Sequence, residues 1–245
     1  MGAALAAIFG TLPRMQLYCG TSGFSFKEWK GPFYPAKLPA DEMLGFYATR
    51  LPTVEINNTF YRMPRPSMLE AWAAKVPETF RFAVKAPRRL SHVKQLKDCA
   101  EDAGLFFGAV ATLGSRLGAV LVQLPPHARV GVEKLAAFLK LVPQALRVAF
   151  EFRHASWNDA AVHKLLEDHG AAWVTADNDG TVPPELIRTA RWTYLRMRAP
   201  DYSDDALRTW RARCAPFEQA FMYFKHEDEA AGPKYAERMI ALDRG

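Results

Sequence analysis

Short apolar runs of strand length recur eight times along the chain: QLYCG, TVEIN, FRFAVK, AVLVQL, RVAFEF, AWVTAD, WTYLRM and AFMYFK. Amphipathic segments of helical length separate most of them. Strands this apolar are covered on both faces, and alternation with helices implies that they run parallel. At 245 residues the economical closure is an α/β fold, a single (β/α)8 barrel. An open doubly wound sheet is the alternative, but GTSGFSF in the first loop is not the G-x-G-x-x-G of a dinucleotide site. The pattern also predicts helix ends. Asp41 is expected to cap DEMLGFYATR, Ser67 with Glu70 to form a capping box on RPSMLEAWAAKV, and Asn158 and Gly170 to bound NDAAVHKLLEDHG. The sixth crossover, PPELIR, is short.

Alternation within each strand separates a helix-facing from a lumen-facing set. It sends Glu55 and Asn57 inward on the second strand, Lys85 on the third, Gln123 on the fourth and Glu151 with Arg153 on the fifth. Thr175 and Asp177 are assigned inward on the sixth strand, Tyr194 and Arg196 on the seventh, and Tyr223 and Lys225 on the eighth. In each case the polar residue falls at the C-terminal end, the end where barrel enzymes carry their sites. Three carboxylates would then face four cations. The buried Glu55 and Glu151 are expected to pair with Arg and Lys, because isolated buried charges are costly.

Composition adds a bias rather than a class. Lys and Arg number 32 against 26 Asp and Glu, a net charge of +6 and a pI near 9.3, which draws anionic partners. No long basic tract concentrates that charge, and no linker or composition shift divides the chain, so one domain over residues 15–245 is expected. The three cysteines, Cys19, Cys99 and Cys214, lie far apart and form no C-x-x-C pair. Neither a disulfide framework nor a zinc module follows, and a reducing cytoplasm is the expected location. Residues 1–14 have a short apolar run without a preceding positive charge. They read as an extension that is expected to be poorly ordered, and no membrane partner is indicated.

Six motifs, GTSGFSFKEWKGPFYP, EINNTFYRMP, FAVKAPRRLSH, QLPP, EFRHASW and YFKHED, occur in an order that resembles the YecE-like family. The resemblance runs from residue 18 to 228 and implies a (β/α)8 barrel. It also implies a shared polar mouth of Glu55, Asn57, Thr59, Tyr61, Lys85, His92, Gln123, Glu151, Arg153, His154 and Trp157. It implies no established reaction. One departure stands out: where members resemble RLHG after the seventh strand, this chain has RMRAPDYS. Arg198 therefore stands at the histidine position, and a guanidinium there does not offer the metal-ligating nitrogen of an imidazole.

Lys85, Arg153, Arg196 and Arg88, beside the GTSG backbone, suit a phosphate-bearing or other anionic ligand held by charge-assisted hydrogen bonds. Glu55 and Glu151 are the candidates for acid/base or orienting roles in hydrolysis of a phosphoester or related substrate. The cationic neighbours weigh against glycosidase chemistry, because paired carboxylates stay ionised. Trp29, Tyr61 and Trp157 could stack on a flat group or could simply roof the barrel. No cofactor is evident. A divalent metal held by His92, His154, His226, Glu55, Glu151, Asp177 and Glu227 is a further candidate, although no ligand spacing such as H-x-H occurs. The alternative function is non-catalytic nucleic-acid binding through the basic surface and aromatic loops.

Overall fold

The computed structural model describes residues 15–178, 182–183 and 185–244. The extension over residues 1–14 lies outside the described residues. Eight parallel strands close into a barrel in chain order, the first pairing with the last. They are β1 (Gln16–Ser22), β2 (Thr53–Ile56), β3 (Arg81–Lys85), β4 (Leu117–Gln123), β5 (Val148–Glu151), β6 (Ala172–Asp177), β7 (Trp192–Met197) and β8 (Gln219–Phe224). The helices are α1 (Met43–Arg50), α2 (Pro66–Ala73), α3 (Ala100–Ala111), α4 (Val132–Leu139), α5 (Ala160–Asp168), α6 (Asp204–Cys214) and α7 (Ala231–Arg244). The crossover from β6 to β7 contains no helix among the described residues.

Two separate apolar cores result. The larger fills the space between strands and helices and includes Val54, Phe82, Val84, Val120, Phe150 and Met222. The smaller fills the lumen with Tyr18, Ala83, Leu121, Ala149, Ala172, Val174, Trp192, Tyr194, Phe221 and Tyr223. Tyr18 stacks on Phe221 at 4.9 Å between centroids, with Trp192 edge-on to Phe221. This aromatic layer blocks the N-terminal end, so the lumen is a packed core and only its C-terminal end can receive anything.

The parity assigned from sequence holds on β2 to β5, β7 and β8 and fails on β6. Ala172 and Val174 join the lumen core, which turns Trp173, Thr175 and Asp177 towards the helices. Trp173 packs on Phe152 at 4.9 Å. Asp177, 2% exposed, accepts the Tyr202 hydroxyl hydrogen at 2.7 Å and the Arg198 N–H at 3.4 Å. A carboxylate with its own donors is tolerated on a helix-facing side, so polarity alone misassigned this strand.

Three helix starts also differ from expectation. Glu42, not Asp41, precedes α1 and makes no side-chain cap bond. Pro66 occupies the first turn of α2, which places Arg65 at the cap position and Ser67 inside the helix. Asp159, not Asn158, caps α5 by accepting the Ala161 N–H at 2.8 Å. Gly170, at φ +59°, does end that helix. Cys19, Cys99 and Cys214 are all free and buried. No helix among the described residues is long and apolar enough to cross a membrane.

Candidate functional site

Six strands deliver polar side chains to one layer above the aromatic plug. Ser22, Glu55, Lys85, Gln123, Glu151 and Arg196 stand at or next to the C-terminal ends of β1, β2, β3, β4, β5 and β7, and all are buried. Arg196 is the centre of this layer. Its Nε and Nη2 grip Glu55 at 3.0 and 2.8 Å, and its Nη1 reaches Glu151 Oε2 at 2.7 Å. The planar fork of arginine is what allows one side chain to hold two carboxylates from opposite sides of the barrel.

Glu55 is saturated. Besides Arg196 it accepts from the Tyr194 hydroxyl at 2.7 Å, from Asn57 Nδ2 at 2.9 Å and from the Ser22 hydroxyl. Burial opposes its ionisation, but the charge and hydrogen bonds of Arg196, with those of Ser22 and Asn57, hold the carboxyl at about 2. Such a group cannot act as a general acid near neutrality, and its lone pairs are engaged. Glu151 accepts Gln123 Nε2 at 2.7 Å and Arg153 Nε at 3.1 Å as well as Arg196. Against the cost of burial, the charges of Arg196, Arg198 and Arg153 keep it below the usual carboxylate range.

Lys85 differs from these partners. Its Nζ donates to the neutral Gln123 Oε1 at 2.9 Å and stands 4.2 Å from the Phe60 ring centroid. Burial, then the charge of Arg196, depress its pKa to about 8, against the opposing pull of Glu55 and Glu151. His92 packs edge-on against the same Phe60 ring at 4.8 Å. Burial and the nearby charges of Lys85, Arg153 and Arg88 push its imidazole below the ordinary value.

A cavity of about 560 Å³ opens above this layer, lined among others by Phe24, Phe26, Tyr61, Lys85, Arg153 and Arg198. Asn57, Gln123, Arg196 and Lys225 also line it. A second hollow of about 670 Å³ beside Glu151 shares Arg153 and Arg198 with the first. The two arginines thus line both hollows. The wall on the β1 side is built by an aromatic cluster from the long first loop. Trp29 ties this loop to the one after β8 by donating Nε1–H to the Glu227 carbonyl at 2.8 Å. Gly23 permits the turn, at φ +106° with Phe26 only 2.8 Å from where a Cβ would stand.

Several residues expected at the site lie elsewhere or serve otherwise. Asp177 faces the helices, as described. Trp157 is 0% exposed, stacks on Phe152 at 4.5 Å and donates Nε1–H to the Ala128 carbonyl at 2.8 Å, so it packs rather than binds. His154 caps its own short turn, its Nδ1 accepting the Ser156 N–H at 3.1 Å. Arg196 braces two glutamates and is 3% exposed, which removes it from the role of open anion clamp. Arg88 and Lys225 are exposed at the rim. Among the described residues no group of three or more His, Cys, Asp or Glu could hold a metal ion. Sequence reasoning missed Arg198 as a mouth residue. Its parity with Tyr194 and Arg196 could have placed it there. Its Nε is buried without a hydrogen-bond partner among the described residues, and burial, then the charge of Arg196, lower its pKa.

A closed barrel plugged at one end, with a buried charge layer and a cationic cavity at the other, defines a (β/α)8 barrel protein. The family model described as "Protein of unknown function DUF72" matches residues 18–244, and the chain belongs to that family. The UPF0759 protein YecE of Escherichia coli (strain K12) is 32% identical over 140 residues, covering 54% of this chain and 51% of that protein. The match therefore spans about half the length of that curated relative. A DUF72 family protein from Thermotoga maritima superposes with a TM-score of 0.77 at 25% identity, covering 94% of this chain and 100% of that one. One from Enterococcus faecalis, at 19% identity and covering 96% of this chain and 100% of that one, has a TM-score of 0.73 and shows the fold alone. The YecE-like resemblance and the expected barrel are borne out.

Proposed function

We propose that the protein binds a small phosphate- or carboxylate-bearing ligand in the mouth of its barrel. The observation that carries this reading is the excess of cation in one cavity. Arg196 is spent on Glu55 and Glu151, yet Lys85, Arg153 and Arg198 line the same space. Among the described residues Lys85 is hydrogen-bonded only to a neutral amide, Arg153 uses its Nε on Glu151, and Arg198 keeps a buried Nε without an acceptor. A buried donor without a partner is costly, and an anion there would satisfy it. In this reading Glu55 and Glu151 orient the cations through Arg196 and Gln123, and the saturated Glu55 argues against a two-carboxylate hydrolytic pair.

The aromatic wall of Phe24, Phe26, Phe60 and Tyr61 suits an apolar or flat remainder of the ligand. Trp29 and Trp157 are buried, which leaves Tyr61, 78% exposed, as the one of the three expected stacking residues open to a partner. This favours a small ligand over a nucleic-acid strand. Salt separates the two. Phosphate affinity is expected to fall modestly between low and physiological salt, whereas strand binding driven by counterion release would fall steeply and log-linearly. Measuring both affinities across a salt series decides it; tight, steeply salt-dependent oligonucleotide binding with no phosphate binding would contradict the proposal.

A further inference from the structure

Lys85 carries chemistry that anion binding alone leaves unused. An arginine in this setting can only donate hydrogen bonds, but a primary amine can lose its proton and attack. The surroundings of Lys85 favour that loss. Its side chain is buried at the end of β3 and borders the 560 Å³ cavity. Gln123 holds Nζ in place through its Oε1 while its own Nε2 is anchored on Glu151. Among the described residues no carboxylate forms an ion pair with Lys85, and Arg196 and Arg153 occupy the two carboxylates of its layer, Glu55 and Glu151. The charged groups that act on it are Arg196 on β7, Arg153 after β5, Glu55 on β2 and Glu151 on β5. His92, in the turn after β3, shares the Phe60 ring with it.

We propose that Lys85 is a carbonyl-condensing amine whose substrate is an aldehyde or ketone that also bears a phosphate or carboxylate, the anionic end being held by Arg153 and Arg198. The choice of an anionic substrate rests on the binding reading above; the reactivity of the amine does not. The step is redox-neutral. The unprotonated Nζ forms a bond to the carbonyl carbon as the C–O π bond breaks, and one nitrogen proton passes to oxygen to give a carbinolamine. The hydroxyl then leaves with the second nitrogen proton as water, and a neutral imine remains. The depressed pKa supports the geometry: with Lys85 at about 8, on the order of 100-fold more of it than of an ordinary lysine is unprotonated near neutrality.

The test uses the intact protein, pyridoxal 5′-phosphate as the probe and sodium borohydride to reduce any imine to a stable secondary amine, followed by peptide mapping. Lys85 is expected to carry the label at least about tenfold faster than the exposed Lys37 and Lys97, consistent with its larger unprotonated fraction. Lys85→Arg is expected to remove that fast phase and leave the slow surface labelling unchanged. Labelling of Lys85 no faster than Lys37 and Lys97 in the wild-type protein would overturn the proposal, with no variant needed. Repeating the reaction with pyridoxal, and with competing inorganic phosphate, separates the two readings. Fast labelling by both probes without phosphate protection upholds the amine and removes the anion site. Saturable phosphate binding with an unlabelled Lys85 does the reverse.

Discussion

Arg196 holds Glu55 and Glu151 in a buried layer, and the cost of removing it is unequal to the worth of its bonds. Replacing it with Met leaves two buried carboxylates short of their counter-charge. Arg196→Met is expected to destabilise the fold by about 3–5 kcal/mol in urea unfolding, whereas a loss under about 1 kcal/mol would show that the layer behaves like a surface pair. Acid acts on the same layer. Glu55 is held at about 2 in the folded chain against an ordinary 4.5, so it binds fewer protons folded than unfolded in between. Its contribution is present above pH 4.5 and is lost as pH falls towards 2, about 3 kcal/mol in all. Glu55→Gln is expected to flatten that part of the stability-versus-pH curve; an unchanged acid slope would place the titration elsewhere.

Individual elements show where the pattern of the chain was readable and where it was not. On β2, β3, β4 and β5 the helix-facing residues are strongly apolar, so alternation put Glu55, Lys85, Gln123 and Glu151 in the lumen, where they stand. On β6 the lumen residues are the small Ala172 and Val174, and both parities carry apolar groups. The position of Asp177 was then decided by Tyr202, a residue beyond the next strand that no local pattern reveals. Helix caps failed for a similar reason, since neighbouring residues such as Asn158 and Asp159 are chemically alike and backbone angles choose between them. Of the two roles open to Trp157, packing is the one the structure has, because Phe152 and the Ala128 carbonyl complete its environment within the protein. At this scale the tightest constraint is the β1–β2 pair. Gly20 lies opposite Thr53, and a Cβ there would stand 1.9 Å from the Thr53 carbonyl oxygen. Gly20→Ala is expected to cost more than about 3 kcal/mol, the upper end for overpacking, because the closed barrel cannot part the strands. A thermal melt within a degree or two of wild type would show that the strands do part.

Across the whole molecule the net charge of +6 is spread, but the mouth holds more cations, Lys85, Arg153, Arg196 and Arg198, than the buried Glu55 and Glu151 can neutralise. The arrangement has a pH signature. Lys85 is cationic below about 8 and neutral above, so anion affinity is expected to weaken as pH rises through that value. The same depressed pKa costs the empty protein folding stability below about 8, and that cost is relieved as pH rises from about 8 towards the ordinary lysine value, since the unfolded chain binds the extra proton there. Affinity that stays flat from pH 7 to 9 would exclude Lys85 from the binding group. The central claim is that this mouth receives an anion, and calorimetric titration of inorganic phosphate into the wild-type protein and into an Arg153→Ala/Arg198→Ala variant tests it most directly. One saturable site in the wild type, weakened at least about tenfold in a variant that melts normally, is the expected result, each lost charge-assisted hydrogen bond contributing about 1.5–3 kcal/mol. No saturable heat in the wild type, or the same affinity in both proteins, would contradict it.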